Sequence, residues 1–150
     1  MRHRPVVLAI AGLYALAILL IGFWPTHVDQ NLDLAHRPPT SWLVSWFDLT
    51  PERAYSIGEF SANVLLFVPL GIFAMLLVPG ISWLRTVAGA LSVTAVIEVV
   101  QTLLRPDRTG SVQDVVANTL GAAIGAALVV GARQTRPAGD RAATGLARPQ

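Results

Sequence analysis

The chain has 150 residues, of which 53% are hydrophobic and 13% are charged, and its mean hydropathy is +0.56. This composition is too apolar for an ordinary soluble domain and indicates one small membrane unit whose apolar surface is covered by lipid. The chain contains no cysteine, which excludes disulfides, thiol catalysis and cysteine metal sites, and its net charge of only +2 argues against a nucleic-acid partner.

The first predicted membrane span runs from about residue 6 to residue 23. It ends at Trp24-Pro25, an aromatic residue typical of the membrane interface followed by a helix breaker. The charged start from Met1 to Arg4 is typical of a signal peptide, but the apolar stretch is long and no A-x-A-like cleavage site precedes Trp24. We therefore expect an uncleaved membrane anchor.

The segment 25–58 is the largest predicted piece outside the membrane, an extracytoplasmic loop. Trp42 and Trp46 stand one helical turn apart within it, which fits either a short helix lying in the membrane interface or a lid packed on the bundle. Four residues of metal-ligating types also occur there, but their spacing matches no defined site: His27, Asp29, Asp33 and His36. We expect a solvated loop and no bound metal or cofactor.

Three further spans are predicted at about residues 60–78, 84–104 and 112–132, each with roughly the 20 residues that cross a bilayer. The sequence therefore predicts an all-α polytopic membrane protein, a small bundle of four transmembrane helices formed by residues 1–132. The tail 133–150 has no hydrophobic period and is predicted to be disordered.

The distribution of arginines predicts the orientation in the membrane. With the N-terminus in the cytoplasm, seven of the 11 basic residues fall on the inner side and four on the outer side. Because positive residues concentrate on the cytoplasmic side, we expect both termini, including the tail, to be cytoplasmic.

Polar side chains inside the predicted spans are the best indication of function, because a charge or amide at membrane depth is costly. Glu98 and Gln101 share one face of the third span, and Asp114 and Asn118 share one face of the fourth. With Asn63 they fall in the outer half of the membrane, and Arg105 and Arg108 occupy the short connection. We predict a polar pocket that faces outward, formed by Asn63, Glu98, Gln101, Arg108, Asp114 and Asn118. The alternative is that these groups only hold the helices together.

Two features of the spans indicate helix packing. Gly121 and Gly125 form a G-x-x-x-G motif, which lets two helix backbones approach closely. Pro69 removes a backbone donor within the second span and predicts a kink there, with Gly71 as a further packing position.

Several of these residues also occur in linked motifs: N-V-L-L-F-V-P-L-G from Asn63, I-E-V-V-Q from Ile97, then Arg108, and D-V-V-A-N-T-L-G-A-A-I-G from Asp114. In order and spacing they resemble the VanZ-like family over about residues 60–128. The resemblance implies a small multi-pass membrane protein of a family whose namesake is associated with resistance to the glycopeptide teicoplanin. Many members have an acidic residue just before the aspartate that matches Asp114, where this chain has Ser111 and Gln113.

Two classes of function remain open. The first is a non-enzymatic accessory protein of the bacterial plasma membrane, which affects glycopeptide tolerance or the handling of lipid-linked cell-wall precursors. Its partners would be membrane lipid and a precursor or glycopeptide, with a homo-oligomer possible and no nucleic acid. The alternative is an intramembrane enzyme acting on a lipid head group, with Glu98 or Asp114 as general acid or base. Because the spans hold no histidine and no obvious nucleophile, the accessory protein is the preferred interpretation.

Overall fold

The computed structural model describes residues 4–22, 40–104 and 111–135, and helices dominate these ranges. In chain order they are α1 (Arg4–Gly22), α2 (Thr40–Phe47), α3 (Pro51–Leu77), α4 (Trp83–Leu104) and α5 (Val112–Gln134). Four of them, α1, α3, α4 and α5, are long and apolar enough to cross a membrane. The predicted all-α architecture with four spanning helices is therefore confirmed, while the side on which the termini lie stays a prediction.

Helix α3 begins well before the span predicted from about residue 60. Thr50 caps its start, since its hydroxyl oxygen accepts a hydrogen bond from the backbone N–H of Arg53, and Pro51 occupies the first turn, where its missing N–H costs nothing. The helix has 27 residues, a length of about 40 Å, whereas the hydrocarbon layer is only about 30 Å thick. Residues 51–58, assigned to the loop by sequence, are thus the helical start of α3.

Helix α3 continues through Pro69, and α1 packs beside this point. Proline has no N–H, so the carbonyl of Leu65 lacks its helical donor. The hydroxyl of Tyr14 on α1 donates to the neighbouring carbonyl of Leu66, and the Tyr14 ring meets Phe73 edge-on at 5.9 Å. Within the described residues α3 is the helix on which α1 packs.

The closest packing in the bundle is between α3 and α5. A Cβ atom on Gly121 would lie 2.1 Å from the carbonyl oxygen of Val64, and one on Gly125 would lie 1.9 Å from that of Val68. A Cβ on Gly71 would in turn lie 2.0 Å from the carbonyl oxygen of Ala122. These distances are far below van der Waals contact, so the two backbones touch at positions where only glycine fits.

The other end of the bundle is held by Met75, which packs with Ala126 and Val129 in the apolar core. Four residues after Met75 stands Pro79, which has no N–H to offer the Met75 carbonyl. The guanidinium of Arg133 on α5 donates to this carbonyl at 2.6 Å. An arginine from the end of α5 therefore replaces the missing helical donor at the end of α3.

Helix α4 is fastened to α5 by side-chain hydrogen bonds. The indole N–H of Trp83 donates to the carbonyl of Ala123 at 3.0 Å, and the hydroxyls of Thr94 and Thr119 approach to 3.5 Å. Much of the remaining helix surface exposes large aliphatic side chains, as expected where lipid rather than water surrounds the bundle.

Residues 40–47 form the short helix α2, which contacts α3. The rings of Trp42 and Trp46 stack with centroids 6.2 Å apart, and Trp46 is 75% exposed. Asp48 follows with φ of 50°, the left-handed conformation that ends many helices. The two tryptophans thus share one helix face, and that face is not covered by the bundle.

Candidate functional site

Five of the six predicted site residues line one cavity. The cavity has a volume of about 100 Å³, and its polar wall consists of Asn63, Glu98, Gln101, Asp114 and Asn118. Arg108 lies outside the residues that the structure describes, as do the histidines and aspartates of the segment 25–39. The polar residues that the sequence singled out within the spans therefore come together around a common space.

Three helices bring these side chains to the same level of the bundle. Glu98 lies six residues before the end of α4 and Asn118 six residues after the start of α5, so both are about 9 Å from their helix ends. Asn63 lies about 18 Å from the start of α3, because that helix extends further in this direction. The cavity is therefore nearest the end where α3 and α5 begin and α4 ends.

Asp114 is held by Asn63 across the α3–α5 contact. The side-chain amide of Asn63 donates to Oδ1 of Asp114 at 2.8 Å, and both residues are half-buried. The partners are 51 residues apart in the sequence. One carboxylate oxygen is thereby fixed, while the carboxylate as a whole can accept further hydrogen bonds.

Glu98 is bound to the first residues of α5. The backbone N–H of Ser111 donates to Oε1 of Glu98, and the Ser111 hydroxyl accepts from the N–H of Gln113 at 3.1 Å. Ser111 is the N-cap of α5, where exposed N–H groups and the helix dipole favour a negative charge. Glu98 thus joins α4 to α5 and has a structural role as well as a place in the cavity wall.

Asn118 and Gln101 are the most buried polar groups of the site, at 8% and 5% exposure. Gln101 has a polar partner. The side-chain oxygen of Asn118, by contrast, is buried and has no hydrogen-bond partner among the described residues. A buried acceptor without a donor costs about 1–3 kcal/mol, so the position of Asn118 calls for an explanation.

The opposite wall of the cavity is apolar and was not foreseen. Its residues come chiefly from the end of α1 and from the faces of α3 and α4: Ile18, Leu19, Ile21, Leu66, Phe67 and Ile97. Aliphatic residues inside an aliphatic span give no sign of which face they occupy. Tyr14 was the one available signal, since it is the only hydrogen-bonding side chain in the middle of the first span.

The sequence model of the VanZ/LLP1 family matches residues 11–133, which is most of the chain. The chain belongs to the VanZ/LLP1 family. This result confirms the resemblance drawn from the motifs in α3, α4 and α5. Searches of curated proteins and of solved structures give no significant match.

The VanZ/LLP1 match contains the whole of the described cavity, from Ile18 on α1 to Asn118 on α5. Within the described ranges, no three His, Asp or Glu side chains are grouped so that they could hold a metal ion. The described cavity offers two carboxyl groups and three side-chain amides on one side and apolar side chains on the other.

Proposed function

We propose that this VanZ/LLP1 protein is a non-enzymatic accessory protein of the bacterial plasma membrane. It alters tolerance to teicoplanin-type glycopeptides, or the handling of lipid-linked cell-wall precursors, by binding a polar group in its cavity. The observation that carries the proposal is the convergence of five polar side chains from three spanning helices on one cavity. Such groups are rare at membrane depth and usually face a partner or a ligand pathway.

Helix association alone accounts for part of this cluster. The Asn63–Asp114 and Ser111–Glu98 hydrogen bonds join helices in the way that polar residues commonly do in membranes. It does not account for the unpaired oxygen of Asn118 or for the open volume beside it. Groups that serve only to hold helices together satisfy one another, so these two features favour a ligand.

The size of the cavity limits what can bind. Its volume of about 100 Å³ is smaller than the cavity of about 150 Å³ that accommodates benzene in an engineered protein core. A whole glycopeptide or precursor is far too large. The protein therefore receives one small polar group of a larger amphiphile, and the rest of that molecule lies outside the cavity.

The orientation expected from the arginines fits this role. If both termini are cytoplasmic, the end at which α3 and α5 begin lies in the outer half of the membrane. The polar cavity then lies nearer the face where lipid-linked precursors are displayed and where glycopeptides act.

Substitutions that remove charge without changing shape test the proposal. Glu98→Gln and Asp114→Asn should abolish any gain in teicoplanin tolerance that the wild-type protein confers. The amount of protein in the membrane should fall by a much smaller fraction than the tolerance does. Glu52→Gln, the same change on an exposed residue at the start of α3, is the matched control and should retain tolerance. Susceptibility and membrane abundance are measured on the same cells. Full tolerance with normal abundance in both cavity variants would refute the proposal.

The same cells test the enzymatic alternative, which the two carboxyl groups beside the cavity keep open. Lipids and cell-wall precursors are compared by mass spectrometry between cells with and without the protein. A new lipid product that is absent in Glu98→Gln cells would show that the protein is an enzyme and would refute the accessory role. An unchanged lipid profile would support the accessory role.

A further inference from the structure

We propose that the cavity binds the primary ammonium of an ethanolamine phospholipid head group. This rests on the proposed function in that it takes the same cavity as a ligand site, and it adds the chemical class of the ligand. Three features of the cavity support this ligand: the hydrogen-bonding groups of its wall, its size, and its position between the helices.

The described wall is rich in hydrogen-bond acceptors, and both of its charged side chains are acidic. Its charged side chains are Glu98 and Asp114, and the partners the structure gives them, a backbone N–H and an amide, are both neutral. A carboxylate can accept about four hydrogen bonds, so each retains free capacity. The unpaired oxygen of Asn118 adds a third acceptor. A cationic ligand that donates hydrogen bonds complements these acceptors, and a primary ammonium offers three N–H donors.

The volume of the cavity favours a small group over a bulky one. About 100 Å³ holds an ethanolamine fragment, with its two carbons and one nitrogen, but is too small for a large head group. A trimethylammonium group is bulkier and has no N–H. A phosphate would bring negative charge toward two carboxyl groups. Size and charge therefore agree on the ethanolamine ammonium, with the lipid phosphate remaining outside the polar wall.

The apolar wall gives such a lipid a way in. Ile18, Leu19 and Ile21 of α1 face the polar wall, but within the described residues α1 packs on α3 and makes no comparable contact with α4. Helices α1 and α4 thus border the same cavity without packing against each other. A gap between two spanning helices faces the lipid, so a head group can reach the acceptors while its acyl chains stay in the membrane.

A graded series of ligands tests the proposal on the purified full-length protein in detergent. Short-chain phospholipids with ethanolamine, N-methyl, N,N-dimethyl and choline head groups keep the same charge while the N–H donors fall from three to none. Affinity is measured from the rise in melting temperature with lipid concentration. We expect it to fall along the series, with choline about tenfold or more weaker than ethanolamine. Equal affinities, or a preference for the anionic glycerol head group, would overturn the proposal.

Two variants locate the binding. Asn118→Leu removes the unpaired acceptor at similar volume, and Asp114→Asn removes one charge. Both variants should bind the four lipids with similar affinity, whereas Glu52→Gln should keep the wild-type preference for ethanolamine. Melting in the absence of lipid shows whether each variant is folded. If Asp114→Asn fails to fold, the affinities of Asn118→Leu alone show whether the lipid binds in the cavity. Full ethanolamine preference in folded Asn118→Leu would place binding elsewhere and overturn the proposal.

Free ethanolamine, added in place of the lipid, identifies the source of the ligand. We expect no stabilisation at concentrations where the lipid saturates, and equal stabilisation would overturn the assignment to a lipid. The inference and the function on which it rests fail in different ways. Equal affinities for the four lipids, with tolerance still lost in Glu98→Gln, would refute the inference and leave the proposed function standing. If Asn118→Leu loses the preference for ethanolamine but the cavity variants keep full tolerance, the proposed function is refuted and the inference stands.

Discussion

Asn63 and Asn118 are the same residue type in opposite situations. Asn63 donates to Asp114 and so links α3 to α5. Asn118 is 8% exposed, and its side-chain oxygen is buried without a donor among the described residues. One amide stabilises the bundle, while the other carries a cost that a ligand can remove.

Replacing each of them by leucine should therefore have different effects on stability. Asn63→Leu deletes the donor to Asp114 and should lower the free energy of unfolding by about 1–3 kcal/mol. Asn118→Leu deletes an unsatisfied acceptor and should leave stability equal to or above that of the wild type. Thermal unfolding of the two variants in the same detergent measures this contrast. Equal losses would mean that Asn118 is as well bonded as Asn63.

The polar residues that line the cavity could be singled out in the sequence, but their pairing could not be predicted. Glu98, Gln101, Asp114 and Asn118 stand out because each interrupts an apolar span. The partner of Glu98 is a backbone N–H of Ser111, which no side-chain pattern reveals. In a membrane both the lipid side and the core side of a helix are apolar, so hydrophobic periodicity does not fix how each helix is rotated.

At the scale of helices, the α3–α5 contact depends on glycine at three positions. Gly121→Ala and Gly125→Ala should each prevent normal assembly, because the added Cβ would meet a carbonyl oxygen of α3 at about 2 Å. Overpacking typically costs about 1–3 kcal/mol, and here the obstacle is backbone. We expect reduced accumulation in the membrane and a lower melting temperature.

Gly131 provides the control on the same helix. A Cβ there has no atom within 4 Å, and alanine has the higher helix propensity by about 1 kcal/mol. Gly131→Ala should accumulate and melt at least as well as the wild type. A similar loss for all three alanine variants would show that helix propensity or lipid contact, not the α3–α5 contact, controls assembly.

Helix α2 leads to a prediction about the membrane surface. Trp46 and Phe47 are 75% and 64% exposed, and tryptophan favours the membrane–water interface. In a variant that retains Trp46 and has phenylalanine at the other three tryptophans, lipids labelled just below the head group should quench Trp46 fluorescence more than aqueous iodide does. Stronger quenching by iodide would place α2 in water.

The sequence predicted the number of spanning helices but missed the start of α3. Hydropathy detects the part of a helix that lies in lipid, and the first turns of α3 carry Glu52 and Arg53, which are typical of loops. The available signal was Thr50-Pro51, an N-cap followed by proline at the first helical position. Local capping chemistry and hydropathy therefore report different boundaries of the same helix.

At the scale of the whole molecule, the chain is suited to a direct test of its orientation because it contains no cysteine. A membrane-impermeant thiol reagent should label Ser45→Cys on intact cells and Gln134→Cys only after permeabilisation. These positions are exposed and lie next to opposite ends of the spanning bundle. The reverse pattern would refute cytoplasmic termini and would place the polar cavity toward the cytoplasm.

The α3–α5 contact also constrains how the protein is made. Its partners are separated by the whole of α4, and α5 follows the other three described spanning helices in chain order. During synthesis α1, α3 and α4 emerge from the ribosome before the glycine face of α5 exists. The carboxylate of Glu98 also gains its partner late in synthesis, because Ser111, whose N–H binds it, follows it in the chain. Until α5 is inserted, the half-buried carboxylate of Glu98 lacks its hydrogen-bond donor, so the insertion of α5 completes the packing of the four described spanning helices.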